Sequence, residues 1–433
     1  MQRGRGDDAG NGELKYNAGQ APPPAARNST AMDASGHVRP TVRIPRAIWA
    51  LGFVSLFMDA SSELVHSLLP VYLAGTLGAS AFAIGMIEGT AEALALIVKV
   101  FSGYLSDALG KRKPLVLLGY GLAAVVKPLF PLAGSVGMVV TARFIDRIGK
   151  GIRGAPRDAL IGDLAPPEVR GASFGLRQSM DTVGAVIGPL LAIGLMLVFV
   201  GDIRTVLWFA VPPAVIAVAL VLFAVREPAD SVQKAARLPI SRAGLASLGS
   251  PYWRIVVVGG LLSLARFSEA FLVLRASERG LSNSYVPLVL VVMSLVYTLT
   301  AYPAGRLSDR MSRRSLLLVG IALLIAADAV LAVAQTPVVV FAGVALWGAH
   351  MGMTQGLLAT LIADVAPPQH RGTAFGMFNL ASGIALLVAS ALAGLLWDQG
   401  GASLTFVVGG CIAALAWLAA LVVLPASATM RAA

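Results

Sequence analysis

Between residues 47 and 424 the sequence is a near-continuous succession of apolar runs. Each is about as long as the roughly 20 residues a helix needs to cross a bilayer. That pattern leaves few folds open. In lipid every backbone N–H and C=O must be satisfied within the chain, so runs of this length fold as membrane-spanning helices. Twelve are read, over 47–76, 80–105, 114–134, 136–158, 172–199, 204–224, 252–276, 284–306, 315–334, 337–362, 373–397 and 402–424. Composition agrees: 57% of residues are hydrophobic and 13% charged, against about 25% charged in an ordinary soluble domain. The expected class is an all-α membrane protein, not a water-soluble enzyme.

Residues 1–45 mix Gly, Pro, Ala and charges without apolar periodicity, which predicts a disordered tail. Two six-helix halves follow, over 46–224 and 251–424. A polar linker over 225–250 joins them, and 425–433 form a C-terminal tail. The net charge of +11 is gathered in particular loops. Lys111, Arg112, Lys113, Arg170, Arg226, Arg313, Arg314 and Arg371 fall on one side of the spans, while the loops around Gly78, Gly134, Thr336 and Gly400 carry almost no cations. The positive-inside rule then places both termini in the cytoplasm of a multi-pass cell (inner) membrane protein. Cations so arranged speak for membrane orientation, and no nucleic-acid partner is expected. The single cysteine, Cys411, lies in an apolar run and is read as a small packing residue.

The halves repeat one another. Gly-Tyr-Leu-Ser-Asp-Ala-Leu-Gly-Lys-Arg-Lys at 103–113 returns as Gly-Arg-Leu-Ser-Asp-Arg-Met-Ser-Arg-Arg at 305–314. Asp-Leu-Ala-Pro-Pro-Glu-Val-Arg-Gly at 163–171 returns as Asp-Val-Ala-Pro-Pro-Gln-His-Arg-Gly at 364–372. The offsets are 202 and 201 residues. Parallel repeats of this kind place a substrate site between the halves near the membrane midplane. The two basic hairpins resemble the loop between the second and third helices of major facilitator superfamily transporters, repeated between the eighth and ninth. The resemblance covers about 45–424. It implies the twelve-helix fold of that superfamily and a cytoplasmic gate at Asp107, Lys111, Arg112, Asp309 and Arg313. Ala108 and Ser312 depart from the usual pattern.

A charge at the bilayer centre costs at least ~2.5 kcal/mol, so each one should face protein or water. Asp59, Glu63 and His66 lie at i, i+4 and i+7 in the first span, on one helix face. Glu88 and Glu92 are one turn apart in the second. Counted from the outer ends of these spans, Glu63 matches Glu92 in depth and His66 matches Glu88, so the five are expected on one cavity wall. In the fourth span Arg143, Asp146, Arg147, Lys150, Arg153, Arg157 and Asp158 fall within an arc of about 140°. Lys150, Arg153 and Arg157, nearer the cytoplasm, read as ordinary anchoring charges. Lys127 and Asp181 are further buried candidates. The second half is barer, with Arg266, Glu269, Asp328, His350 and Asn379, and Val344 at the place of Arg143. For the acids two readings stand: proton or cation carriage, or fixed salt bridges to Arg143, Arg147 or Lys127.

Gly184 and Gly188–Pro189 in the fifth span permit close helix packing. They also resemble the fifth-helix signature of the superfamily's antiporters, which implies export. The first two spans and the Arg143–Asp158 region are similar to its nickel-resistance exporters. No phosphate-binding loop or catalytic domain is found, so neither an ATP-driven pump nor an enzyme is expected, nor any cofactor. The expected function is a secondary, proton-coupled antiporter. It would be a monomer in the lipid bilayer, exporting a small molecule, drug-like cation or divalent metal in exchange for protons. Proton-coupled uptake of an anionic metabolite or metal-chelate, with Arg143, Arg147 and Lys127 as clamps, and a non-transporting receptor are the alternatives.

Overall fold

The computed structural model describes residues 30–32, 38–40, 43–227, 245, 248–308, 311–367 and 370–424. Two short strands, β1 (Thr30–Met32) and β2 (Val38–Pro40), pair antiparallel. Everything else regular among the described residues is helical. The predicted linker lies largely outside the described residues, as does Asp309.

The first half begins with α1 (Arg46–Val71), extended by a π-turn over Tyr72–Thr76, and continues with α2 (Ala81–Leu109). The third span is α3 (Lys113–Val126) and α4 (Leu129–Leu132), separated at Lys127–Pro128; Pro128 has no N–H to continue the ladder. Helices α5 (Val136–Leu164) and α6 (Arg170–Val198) form the fourth and fifth spans, and α7 (Ile203–Trp208) with α8 (Val211–Phe223) the sixth. In the second half α9 (Ser250–Ala265) and α10 (Ala270–Glu278) make one span unwound around Arg266–Glu269. Helices α11 (Leu288–Ser308), α12 (Arg313–Val333) and α13 (Pro337–Val365) follow. Helix α14 (Arg371–Val423) contains Gly401 at φ 77°, a conformation that favours glycine, and there it divides into two spans.

Among the described residues ten helices are long and apolar enough to cross a membrane, by length and composition. The count of twelve is recovered for two physical reasons. Helix α14 is 53 residues long, about twice what a bilayer needs, and α5 misses the criterion only because of its charges. The chain is an all-α, multi-pass membrane protein of two six-helix halves. Apolar side chains such as Phe223, Val422 and Leu299 face outward, as lipid contact requires. The breaks are also provided for: Ser61 Oγ donates to the Ala210 carbonyl (2.6 Å) where the sixth span is interrupted. Cys411 is exposed on α14 rather than packed inside, because α14 turns that face away from its neighbours.

The internal repeat survives in the packing. Arg112 binds Asp163 and, at the same offset, Arg313 binds Asp364. Arg112 also holds Asp107 (2.9 Å), and Glu227 accepts from the backbone N–H groups of Arg112 and Lys113. The predicted gate residues Asp107, Arg112 and Arg313 are therefore fastened within their own halves, and Lys111 is exposed. A Cβ on Gly119 would stand 2.6 Å from the Gly149 carbonyl and 2.7 Å from Arg153 Cβ; one on Gly320 would stand 2.6 Å from Thr354 Cγ2. Both glycines let the third helix of each half cross the fourth closely. Gly184 and Gly188 do the same for α6 on α1, each 2.5 Å (as a built Cβ) from a carbonyl of Leu56 or Ala60. The packing reading of that motif thus has a direct structural basis. On the end away from the basic loops, Asp398 of α14 accepts from the Ala81 and Phe82 N–H groups at the start of α2 (3.0 and 2.9 Å) and clasps the two halves.

Candidate functional site

Four helices of the first half, and two helices and the unwound stretch at Glu269 of the second, bound a cavity of about 500 Å³ at mid-length of the bundle. Helix α1 supplies Asp59, Glu63 and His66, helix α2 Glu92 and Lys99, helix α5 Arg147, Lys150, Arg153 and Arg157, and helix α6 Gln178 and Asp181. The second half contributes Glu269, Met293, Ser294, Tyr297, Met351 and Gln355. Its wall is thus mostly uncharged, and the first half's wall is mostly ionic. The lopsidedness expected from sequence is a property of the cavity itself.

Most of these charges are already paired. Arg147 Nη1 meets Glu92 Oε1 at 3.0 Å. Arg177 binds Asp181, which also lies 3.7 Å from Arg157, and Arg157 donates to Ser55 Oγ at 2.9 Å. Asp158 lies between Arg157 (3.4 Å) and Arg177 (3.6 Å). Behind the cavity, Lys127 binds Asp146 (3.0 Å) and Ser62 (3.1 Å), wholly buried. Arg143 is likewise buried between Glu88 (2.5 Å) and His66 (2.9 Å). Its guanidinium donates, so the imidazole accepts at Nδ1 and carries its proton at Nε2.

Asp59 and Glu63 differ from these. Both line the cavity one turn apart, and among the described residues neither has a carboxylate–cation pair within 4.0 Å. Fixed salt bridges hold for Glu88, Glu92 and Asp146, while the carriage reading stays open for Asp59 and Glu63. Three expectations are corrected. Glu88 is not on the cavity wall with the other four; Arg143 draws it behind. Arg143 and Lys127 cannot clamp a ligand, because each is consumed by a buried partner outside the cavity. Arg153 and Arg157 are not headgroup anchors: Arg153 is buried with its guanidinium 4.7 Å from the Tyr120 ring, and both face the cavity with Lys150. The stripe on α5 runs through them as its spacing predicts, but its cytoplasmic members line the cavity as well.

Sequence alone does not single out Lys99, Tyr120, Gln178 or, apart from Glu269, the second-half lining. Lys99 was findable, since it stands seven residues after Glu92 and so on the same face of α2. Tyr297 and Met351 carry no such signal, because an uncharged residue facing a cavity reads like one facing a neighbour. In the second half Asp328 is buried against Gly409 with neither oxygen bonded, and His350 Nδ1 donates to the Gly320 carbonyl (2.7 Å). Neither lines the cavity. Among the described residues no group of three or more His, Cys, Asp or Glu is placed to hold a metal ion.

A cavity at mid-length between two repeated six-helix halves is the arrangement of a carrier, and the comparisons agree. An uncharacterized MFS-type transporter of Methanocaldococcus jannaschii is 28% identical over 383 residues, spanning 87% of this chain and 94% of its own. The inner membrane transport protein YajR of Escherichia coli is 24% identical over 388 residues, 86% of this chain and 82% of that one. Among solved structures, that of the nucleoside transporter NupG matches with a TM-score of 0.74 at 14% identity, over 88% of this chain and 100% of that chain. The sequence model described as Major Facilitator Superfamily matches over residues 51–275 and 260–432. With the duplication visible in sequence and in packing, and that model matched over most of its length, the chain belongs to the major facilitator superfamily of membrane transporters.

Proposed function

We propose that this transporter is a proton-coupled antiporter that exports a small cationic molecule, lies in the cell (inner) membrane as a monomer and keeps both termini in the cytoplasm. The observation that carries the reading is the unpaired acid pair Asp59 and Glu63 on the cavity wall. Two carboxylates one turn apart, facing a pathway and free of a fixed cation, bind either protons or a positively charged cargo. Competition for one charge is what antiport requires, because each ligand must displace the other for the cycle to be coupled. On the first half's side Glu88, Glu92 and Asp146 are neutralised by Arg143, Arg147 and Lys127, which supports a role in holding α2, α3 and α5 together rather than in exchange. Orientation rests on the basic loops, and direction on the likeness of the Gly184–Pro189 region to antiporters.

Uptake by a clamp of Arg143, Arg147 and Lys127 is the weaker reading, since two of the three lie outside the cavity and Arg147 holds Glu92. The test is flux in proteoliposomes loaded with a pH-sensitive dye, screened across organic cations, divalent metals and acidic metabolites. Substrate-driven proton movement by a cation, lost in Glu63→Gln and weakened in Asp59→Asn, is the expected outcome. Movement with acidic metabolites alone, indifferent to both substitutions, would sink the proposal.

A further inference from the structure

The ionic wall holds more positive charge than its acids neutralise. Lys150 and Arg153 lie about one turn apart on α5. The stem of Lys99, from α2, lies across the same face at Gly154, where a Cβ would stand 3.4 Å from Lys99 Cδ and Cε. All three line the cavity, and among the described residues none has a carboxylate within 4.0 Å. Arg153 is the informative member. It is only 4% exposed, its ring contact is to Tyr120, and its Nη1 has no hydrogen-bond partner. A buried N–H left unbonded is unfavourable, and so are three like charges gathered on the facing sides of two helices. An anionic group placed among them removes both costs, and guanidinium is well suited to hold a carboxylate or phosphate.

Across the same space stand Asp59 and Glu63, unpaired and of opposite sign. The acids and the cations face one cavity of about 500 Å³, yet no ion pair within 4.0 Å joins the two sets. A molecule with both kinds of charge bridges that separation. We infer that the cargo is amphoteric. Its cationic group rests on Asp59 or Glu63, and its anionic group on Arg153 with Lys150 and Lys99. The second half then holds the uncharged body between Met293, Tyr297 and Met351. This rests on the acid-pair reading above and adds the anionic half of the cargo.

The test uses the full chain in dye-loaded proteoliposomes and three panels built on the same aliphatic and aromatic skeletons: a primary amine alone, a carboxylate alone, and both together. The amphoteric panel is expected to move protons at concentrations roughly tenfold lower than the matching amines. Arg153→Gln should erase that advantage. Lys150→Gln, at an exposed position where folding is not at stake, should reduce it. The inference is overturned if plain amines work as well as their amphoteric counterparts. It is also overturned if amines match them once chloride or phosphate is added, which would assign the cations to a free inorganic anion. Carboxylates that act alone and are indifferent to Glu63→Gln contradict the antiport reading itself, and silence from all three panels contradicts both.

Discussion

Arg143 and Val344 stand 201 residues apart at the same place in the two halves, and both are completely or almost completely buried. One is surrounded by Glu88 and His66, the other by an apolar core that includes Trp347 and Leu331. The contrast runs along both helices: Arg147, Lys150, Arg153 and Arg157 of α5 correspond to Gly348, Met351, Thr354 and Leu358 of α13. Backbone crossings are preserved, since Gly119 meets Arg153 as Gly320 meets Thr354. Duplication therefore fixes where helices go, and the side chains on one copy decide where ions go. Buried charge in the second half does structural work instead. Arg275 donates to the carbonyls of Leu331, Ala332 and Ala334 and closes the end of α12.

The largest effect that would break this contrast comes from the acids. Asp59→Asn with Glu63→Gln should abolish accumulation of cargo against its gradient in everted vesicles, whereas Glu269→Gln, the second half's cavity acid, should leave it measurable. If Glu269→Gln is the more damaging change, the asymmetry has been assigned to the wrong half. Next in size is the fastening behind the cavity. Glu88→Ala leaves Arg143 buried without its carboxylate and should cost about 3–5 kcal/mol, read as thermal unfolding in detergent. Glu88→Ala with Arg143→Val, which copies the second half, should recover most of that loss. Recovery of stability with retained transport would mark this cluster as purely structural.

The glycine crossings sharpen the comparison at smaller scale. Gly119→Ala drives a methyl onto the Gly149 carbonyl, which is backbone, and should cost about 1–3 kcal/mol. Gly320→Ala meets the Thr354 side chain, which can turn, and should cost less. Equal losses would show that a backbone obstacle at one crossing and a side-chain obstacle at the other do not set the cost. Smallest is Asp398→Asn, which weakens the carboxylate cap on α2 by about 1 kcal/mol. Cysteine labelling at the end away from the basic loops should rise modestly.

Much of this was legible in the sequence because it depends on spacing. Two landmark pairs at offsets of 201 and 202 gave the duplication, and helical periodicity put Asp59, Glu63 and His66 on one face. Counting rise from the outer ends paired His66 with Glu88, which lie 3.7 Å apart. What spacing does not contain is the choice each long cation makes among neighbours. Arg143 and Arg147 are one turn apart on the same stripe, yet one turns behind the cavity to Glu88 and the other lines it with Glu92. That choice is made by side-chain reach and by the helix standing opposite. The same holds for Arg153, whose ring partner Tyr120 lies on a span with almost no polar signal. The unpaired state of Asp59 and Glu63 emerges only once Glu88, Glu92, Asp146 and Asp181 have each been given a cation.

Proton release from the purified transporter, followed in weakly buffered detergent solution as cargo is added, tests the central claim most directly. The wild type should release protons on binding, and Asp59→Asn with Glu63→Gln should release none while remaining folded. Undiminished release from the double variant would contradict the account, because the exchanged proton would then reside elsewhere.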